Sequence, residues 1–130
     1  MLVAGGWTLA SAQEPAAPAG RGEQLTRLAD ILGRVHHLRG HCARGESEIW
    51  RNRMQRLVEL ERMGGKARKA LIDTFNAAFY DSRARFPDCS PSARAEAVAL
   101  ASEGRRLAAM LAPAWPKASQ RGNSLDLVER

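Results

Sequence analysis

The sequence predicts an all-α fold, an antiparallel up-down-up-down four-helix bundle with one disulfide between the end of helix 1 and the helix 3/4 connection. Three observations lead there. Apolar residues recur at three- and four-residue steps in four successive segments, the spacing that lines one face of a helix. No run alternates polar and apolar residues as a half-buried strand does. Two cysteines, Cys42 and Cys89, fall at segment ends that this topology brings to the same end of the bundle.

With 130 residues the chain has room for one domain and not for two. Apolar residues make up 45% of it, but alanine supplies much of that and aromatics only 5%, which implies thin helix-on-helix packing rather than a sheet sandwich. Small domains of this kind often need a covalent or metal staple.

Residues 1–12, MLVAGGWTLASA, form an uncharged apolar run that closes on Ala10-Ser11-Ala12, a small-residue pattern of the kind signal peptidase reads. The expectation is a truncated signal peptide with its true start upstream, because the positively charged region that opens such a signal is missing. The competing reading is an Ala/Gly/Pro-rich leader of a cytosolic protein. The run is too short to span a bilayer, which needs about 20 apolar residues. No cysteine follows it closely, which argues against a lipid anchor. Residues 13–22 read as a Pro/Ala/Gly linker, residues 23–112 as the helical domain and residues 113–130 as a mobile tail.

Helix 1 spans about Glu23 to His41, with Leu25, Leu28, Leu32, Val35, Leu38 and Cys42 on one face. Gly33 weakens it, and Gly40 or Gly45 is expected to end it in the left-handed conformation that glycine adopts without a Cβ penalty. Helix 2, about Glu48 to Met63, has Ser47 as its expected N-cap and Trp50, Met54, Leu57, Val58 and Leu60 on its apolar stripe; Gly64-Gly65 stops it. Helix 3 runs from about Lys66 to Arg85 with Ala67, Leu71, Phe75, Ala78 and Phe79 in line, ending before Pro87. Helix 4 opens on Ser90-Pro91, serine at the N-cap and proline at the first helical position. Its stripe is Ala93, Ala97, Leu100, Ala101, Gly104, Leu107 and Leu111, and Gly104 is expected to admit a neighbour's Trp or Phe.

Short connections make successive helices antiparallel, so Cys42, ending helix 1, and Cys89, between helices 3 and 4, share one end. Their Cα atoms must approach within about 7 Å to pair. Closing a loop of about fifty residues contributes about 4 kcal/mol on the chain-entropy view. An exported protein meets an oxidising compartment, and an even cysteine count leaves no thiol over. Two reduced, buried cysteines in a cytosolic protein are the alternative.

Leu38-Arg39-x-x-Cys42, Ile49-Trp50-Arg51-x-x-Met54, Glu61, Phe75-Asn76-x-x-Phe79, Cys89 and Glu103-Gly104-x-x-Leu107 resemble the pattern of an uncharacterised family of small exported alphaproteobacterial proteins with two well-separated cysteines. The resemblance spans about residues 25 to 111. It implies export and a cysteine pair, and it carries no activity.

A formal charge of +6, none of it from residues 1–12, makes the mature chain basic. The expected partner is therefore an anionic component of the cell envelope or a protein, with no transmembrane span. Nucleic acid is the weaker reading and belongs to a cytosolic binder. Trp50, Arg51 and Arg53, with Arg56 nearby, form a basic aromatic patch that could hold an anion. The bland alternative makes Trp50 core and the arginines a solvated face. Asn76, next to Phe75, joins the candidate patch as a partly buried amide needing partners.

His36, His37 and His41 lie together, and the step from His37 to His41 puts two imidazoles on one helix face, as a zinc site can require. A metal-dependent hydrolase built on His37 and His41 is accordingly the rival class. Against it stand the missing HExxH glutamate and the missing second ligand pair, and a solvated helix end is the plainer reading of the histidines. The sequence therefore predicts no metal, no cofactor and no catalytic residue. The lysines and arginine after Gly64-Gly65 lack phosphate-loop spacing.

Overall fold

The computed structural model describes residues 20–43 and 45–116. They form four helices, α1 (Arg21–Cys42), α2 (Ser47–Leu60), α3 (Gly65–Arg85) and α4 (Pro91–Leu111), followed by a 3-10 turn at Ala112–Ala114. No strand occurs among the described residues, and none of these helices is long and apolar enough to cross a membrane. The expected leader, most of the linker and the tail beyond Pro116 lie outside the described residues.

The apolar stripes become the core. α2 buries Trp50, Met54, Leu57, Val58 and Leu60, and α4 buries Ala93, Ala97, Leu100, Gly104, Leu107, Ala108 and Leu111. On α3 the buried apolar side chains are Leu71, Phe75 and Ala78, while Ala67 is exposed and Phe79 half-buried. α1 differs from the single stripe expected of it: Leu25 through Leu38 is buried on nearly every side, including Ala29, Ile31, Gly33, His36 and His37. The reason is its position. α3, α4 and α2 all pack against α1, whereas α2 only grazes α3. The core is thus arranged around one axial helix and not as a ring in which each helix meets two equivalent neighbours.

Glycine permits the closest approaches. A Cβ on Gly33 would run into the carbonyl oxygen of Phe75 and come within 3.0 Å of the Ala78 Cβ, so α3 sits directly on the α1 backbone. A Cβ on Gly104 would lie 3.3 Å from Ile31 Cγ2 and 3.7 Å from Leu28 Cδ1; aliphatic side chains of α1 fill the place expected for an aromatic ring.

Salt bridges flank these contacts. Arg34 donates to Asp30 (2.9 Å) and Asp81 (2.6 Å), and Arg27 to Glu103 (2.7 and 2.8 Å) and Asp30 (3.0 Å). Partly exposed pairs of this kind contribute modestly one by one, and here they join α1 to both α3 and α4.

The helix ends are only partly as expected. Ser90 accepts from the Ala93 amide at 3.1 Å with Pro91 at the first helical position, as its sequence signal indicates. Ser47, expected as a cap, is instead the first residue of α2, whose N-cap is Glu46. Gly40 does not end α1. It lies within the helix and faces Ser47, whose Cα would be 3.4 Å from an added Cβ, while Gly45 takes the left-handed turn at φ 84°. α2 ends in a Schellman motif: the amides of Arg62 and Met63 donate to the carbonyls of Glu59 and Val58, both at 3.0 Å. The left-handed residue there is Arg62, φ 55°, and not one of the glycines that follow.

The domain also extends past its expected ends. α1 begins at Arg21, and Trp115 is 5% exposed and belongs to the hydrophobic core. Pro113 suits the first turn of the 3-10 segment, which carries the chain on to place that indole. At the other end of α1, the Cys42 and Cys89 sulfurs stand at disulfide distance with Cα atoms 5.3 Å apart.

Candidate functional site

A cavity of about 510 Å³ opens at the end that holds Cys42 and Cys89. Its walls come from three helices and one connection: His36, His37, Gly40 and His41 of α1, Ser47 of α2, Phe79 and Arg83 of α3, and Pro87. The volume falls within the roughly 300–1,000 Å³ usual for small-ligand sites. The lack of a side chain at Gly40 lets the first residue of α2 close in, and the cysteine pair sits beside two of the walls, adjoining His41 on one side and Pro87 on the other.

Each histidine has its own environment. The His36 ring packs against Phe75 and Phe79, with ring centres 5.4 and 4.9 Å away. It is 6% exposed, and its Nδ1 makes no hydrogen bond. Burial pushes its pKa below the ordinary imidazole value and the charge of Arg51 adds to this, while the Ser47 backbone and Glu48 pull the other way. The burial favours the neutral imidazole. His37 Nε2 donates to the Phe86 carbonyl at 2.8 Å, which fixes Nε2 as the protonated nitrogen and ties α1 to the end of α3. The exposed His41 ring stacks on His37, 5.5 Å between centres and 15° between planes. The expected solvated helix end thus holds for His41 alone. Three packed neighbours leave α1 too little free surface for the other two.

Among the described residues no carboxylate lines the cavity. The nearby acids are committed elsewhere: Glu46 to Arg39 at 2.8 and 3.0 Å, Glu48 to Arg51 at 3.4 Å, and Asp81 to Arg34 and Arg85. Hydrogen bonding from Arg39 holds the Glu46 carboxyl below its usual range, and that from Arg34 does the same for Asp81. Arg83 is exposed at the wall and lies over the Tyr80 ring at 5.7 Å; no carboxylate partner for it occurs among the described residues. The cavity therefore joins a cationic rim to an aromatic wall.

The patch anticipated from sequence is placed differently. Trp50 is 6% exposed, and its Nε1–H donates to Glu46 at 3.3 Å. Arg53 lies 4.2 Å over the Trp50 ring, so on this helix face the tryptophan is covered by its own neighbour. Arg51 is exposed, and Asn76 is exposed rather than partly buried, because it falls on the α3 face opposite Phe75 and Ala78. None of the four lines the cavity. Of the weak metal candidates, His37 and His41 do line it, but the His37 Nε2 is already engaged, and among the described residues no three His, Cys, Asp or Glu side chains gather as a metal ion would need.

Sequence reasoning reached the histidines and missed Phe79, Arg83, Ser47 and Pro87 as wall residues. The i,i+4 step from Phe79 to Arg83 was the one local signal available, and a helix offers many such pairs. Searches of curated proteins and of solved structures found no match to the chain. A family model described as a protein of unknown function (DUF2385) matches residues 21–115, a span that runs from the first residue of α1 to the buried Trp115. The chain therefore belongs to the DUF2385 family.

Proposed function

We propose that the protein is a non-catalytic binding module of the cell envelope, exported to the periplasm, folded as an up-down-up-down bundle and closed by a Cys42–Cys89 disulfide. The observation that carries this reading is the cavity of about 510 Å³ formed at the cysteine end by α1, α2, α3 and Pro87. A cross-link between the segments carrying His41 and Pro87 would hold its walls in place, which gives the cysteines a purpose beyond compactness.

The helix order is supported by the pairings along α1. Arg34 and His37 meet Ser82 and Phe86 in the same sense on α3, while Arg21 and Arg27 meet Leu111 and Glu103 in the reverse sense on α4. The non-catalytic reading is supported by the engaged His37 Nε2 and by a wall that, among the described residues, offers its histidines no carboxylate. A hydrolase on His37 and His41 would need further ligands that the wall does not supply. A cytosolic nucleic-acid binder would need reduced cysteines and binding that weakens steeply with salt.

Two measurements test the reading. Non-reducing mass analysis of protein from the cell envelope should find a chain lacking its first residues and two hydrogens lighter than its dithiol form. A cytosolic protein with an intact leader and two thiols would overturn export. A fragment screen by amide NMR on the oxidised protein should gather its hits at Gly40, Ser47 and Phe79; hits scattered elsewhere would overturn the binding site.

A further inference from the structure

The same cavity has a chemistry specific enough to name what it takes, and the step rests on the binding-module reading. Its charge is one-sided. Arg83 is the guanidinium in the wall, the surrounding acids pair with Arg39, Arg51, Arg34 and Arg85, and among the described residues no carboxylate lines the space. A ligand carrying a negative group would meet Arg83 without displacing an internal partner. Guanidinium suits carboxylate and phosphate oxygens because its planar fork can donate two parallel hydrogen bonds.

The other walls are flat. Phe79 stands at one side with the His36 ring 4.9 Å from it, His37 and His41 stack at 15°, and Pro87 adds an apolar edge. His36 lends the wall its ring: the residue is 6% exposed, and its Nδ1, which makes no hydrogen bond, is closed off from the cavity as well as from solvent.

We propose that this cavity binds a small planar organic anion, an aryl or unsaturated carboxylate or phosphate ester, with Arg83 holding the charged group and Phe79, the stacked histidines and Pro87 holding the flat body. Size agrees: about 510 Å³ admits one ring with its acidic substituent and excludes a folded partner.

The test titrates the oxidised full chain with benzoate, phenyl phosphate and benzamide at low salt, following the amide signals of Gly40, Ser47, Phe79 and Arg83. At least one anion should shift these signals saturably and bind at least tenfold more tightly than benzamide, the neutral match to benzoate. Arg83→Gln should weaken the anion at least fivefold and leave benzamide unchanged, with an unaltered melting temperature because Arg83 is exposed. The stronger anion reports whether carboxylate or phosphate is the preferred head. Equal binding of benzamide, or an Arg83→Gln variant that binds the anion as well as wild type, would overturn the anion assignment while leaving the cavity a binding site. Silence from all three probes would also overturn it, and an empty fragment screen beside that silence would remove the binding-module reading as well.

Discussion

The indole Nε1–H of Trp115 donates to Glu61 Oε2 at 2.7 Å, so the last described turn of the chain is fastened to the end of α2. Glu61 also receives the Arg21 guanidinium, which reaches on to the Leu111 carbonyl at 3.0 Å. One carboxylate thereby gathers the start of α1, the end of α2 and the end of α4, opposite the cysteine end.

Trp115→Phe should keep most of the apolar burial and lose the hydrogen bond to a charged acceptor, at a cost of about 1.5–3 kcal/mol. Trp115→Ala should cost about 3–5 kcal/mol by adding a cavity. Urea midpoints of the two variants measure both. A chain ending at residue 112 that is as stable as the full chain would show that the latch contributes nothing.

Glycine-to-alanine changes in α1 should differ in sign. At Gly33 the added methyl collides with the Phe75 carbonyl, so Gly33→Ala should destabilise by about 2 kcal/mol or more despite alanine's better helix propensity. At Gly22 nothing lies within 4 Å, and Gly22→Ala should stabilise by up to about 1 kcal/mol. Matching signs in thermal unfolding would contradict the close α1–α3 approach.

Arg62 occupies a left-handed position that costs a residue with a Cβ roughly 1–2 kcal/mol. Arg62→Gly should therefore raise stability by about 1 kcal/mol, after glycine's greater unfolded-state freedom is subtracted. A lower melting temperature would show that the Arg62 side chain makes contacts worth more than this strain.

Acid should weaken the fold in two stages. His36 has a depressed folded pKa, so below about 6.5 the unfolded chain takes up a proton that the folded chain refuses, and stability falls as pH drops from there. Arg27 holds Glu103 low and Arg39 holds Glu46 low, chiefly by hydrogen bonds; their stabilisation is present above the ordinary glutamate range and is lost as pH falls through the folded values. The groups acting on His36 are Arg51, Glu48, His37 and the Ser47 backbone. His36→Phe should flatten the decline that sets in below about pH 6.5 and leave the lower stage intact. Identical slopes in the two proteins would refute the assignment.

Reduction of the oxidised protein should lower its stability by about 4 kcal/mol, the loop-closure value for about fifty residues. The comparison is a denaturant titration with and without reductant, and superposable curves would count against a structural cross-link.

The helices were legible because their signals are local. On α2 every apolar position chosen by the helical period is buried, and Ser90-Pro91 opens α4 as serine and proline do when the chain needs a cap and a fixed φ. The cavity was legible only at His36, His37 and His41, which share one helix. Phe79 and Arg83 reach them from α3, and Ser47 from α2, across distances in sequence that no spacing rule covers.

From the sequence alone came the all-helical class, the four helical segments, most of their buried stripes and a reason to place Cys42 beside Cys89. The tertiary structure decided that α1 is the axis, that His36 and His37 are buried, that Trp115 belongs to the core and that Arg62 takes the left-handed turn. Periodicity tells a helix which face is apolar. It does not tell it how many neighbours will come, and burial, partnering and backbone strain all follow from that number.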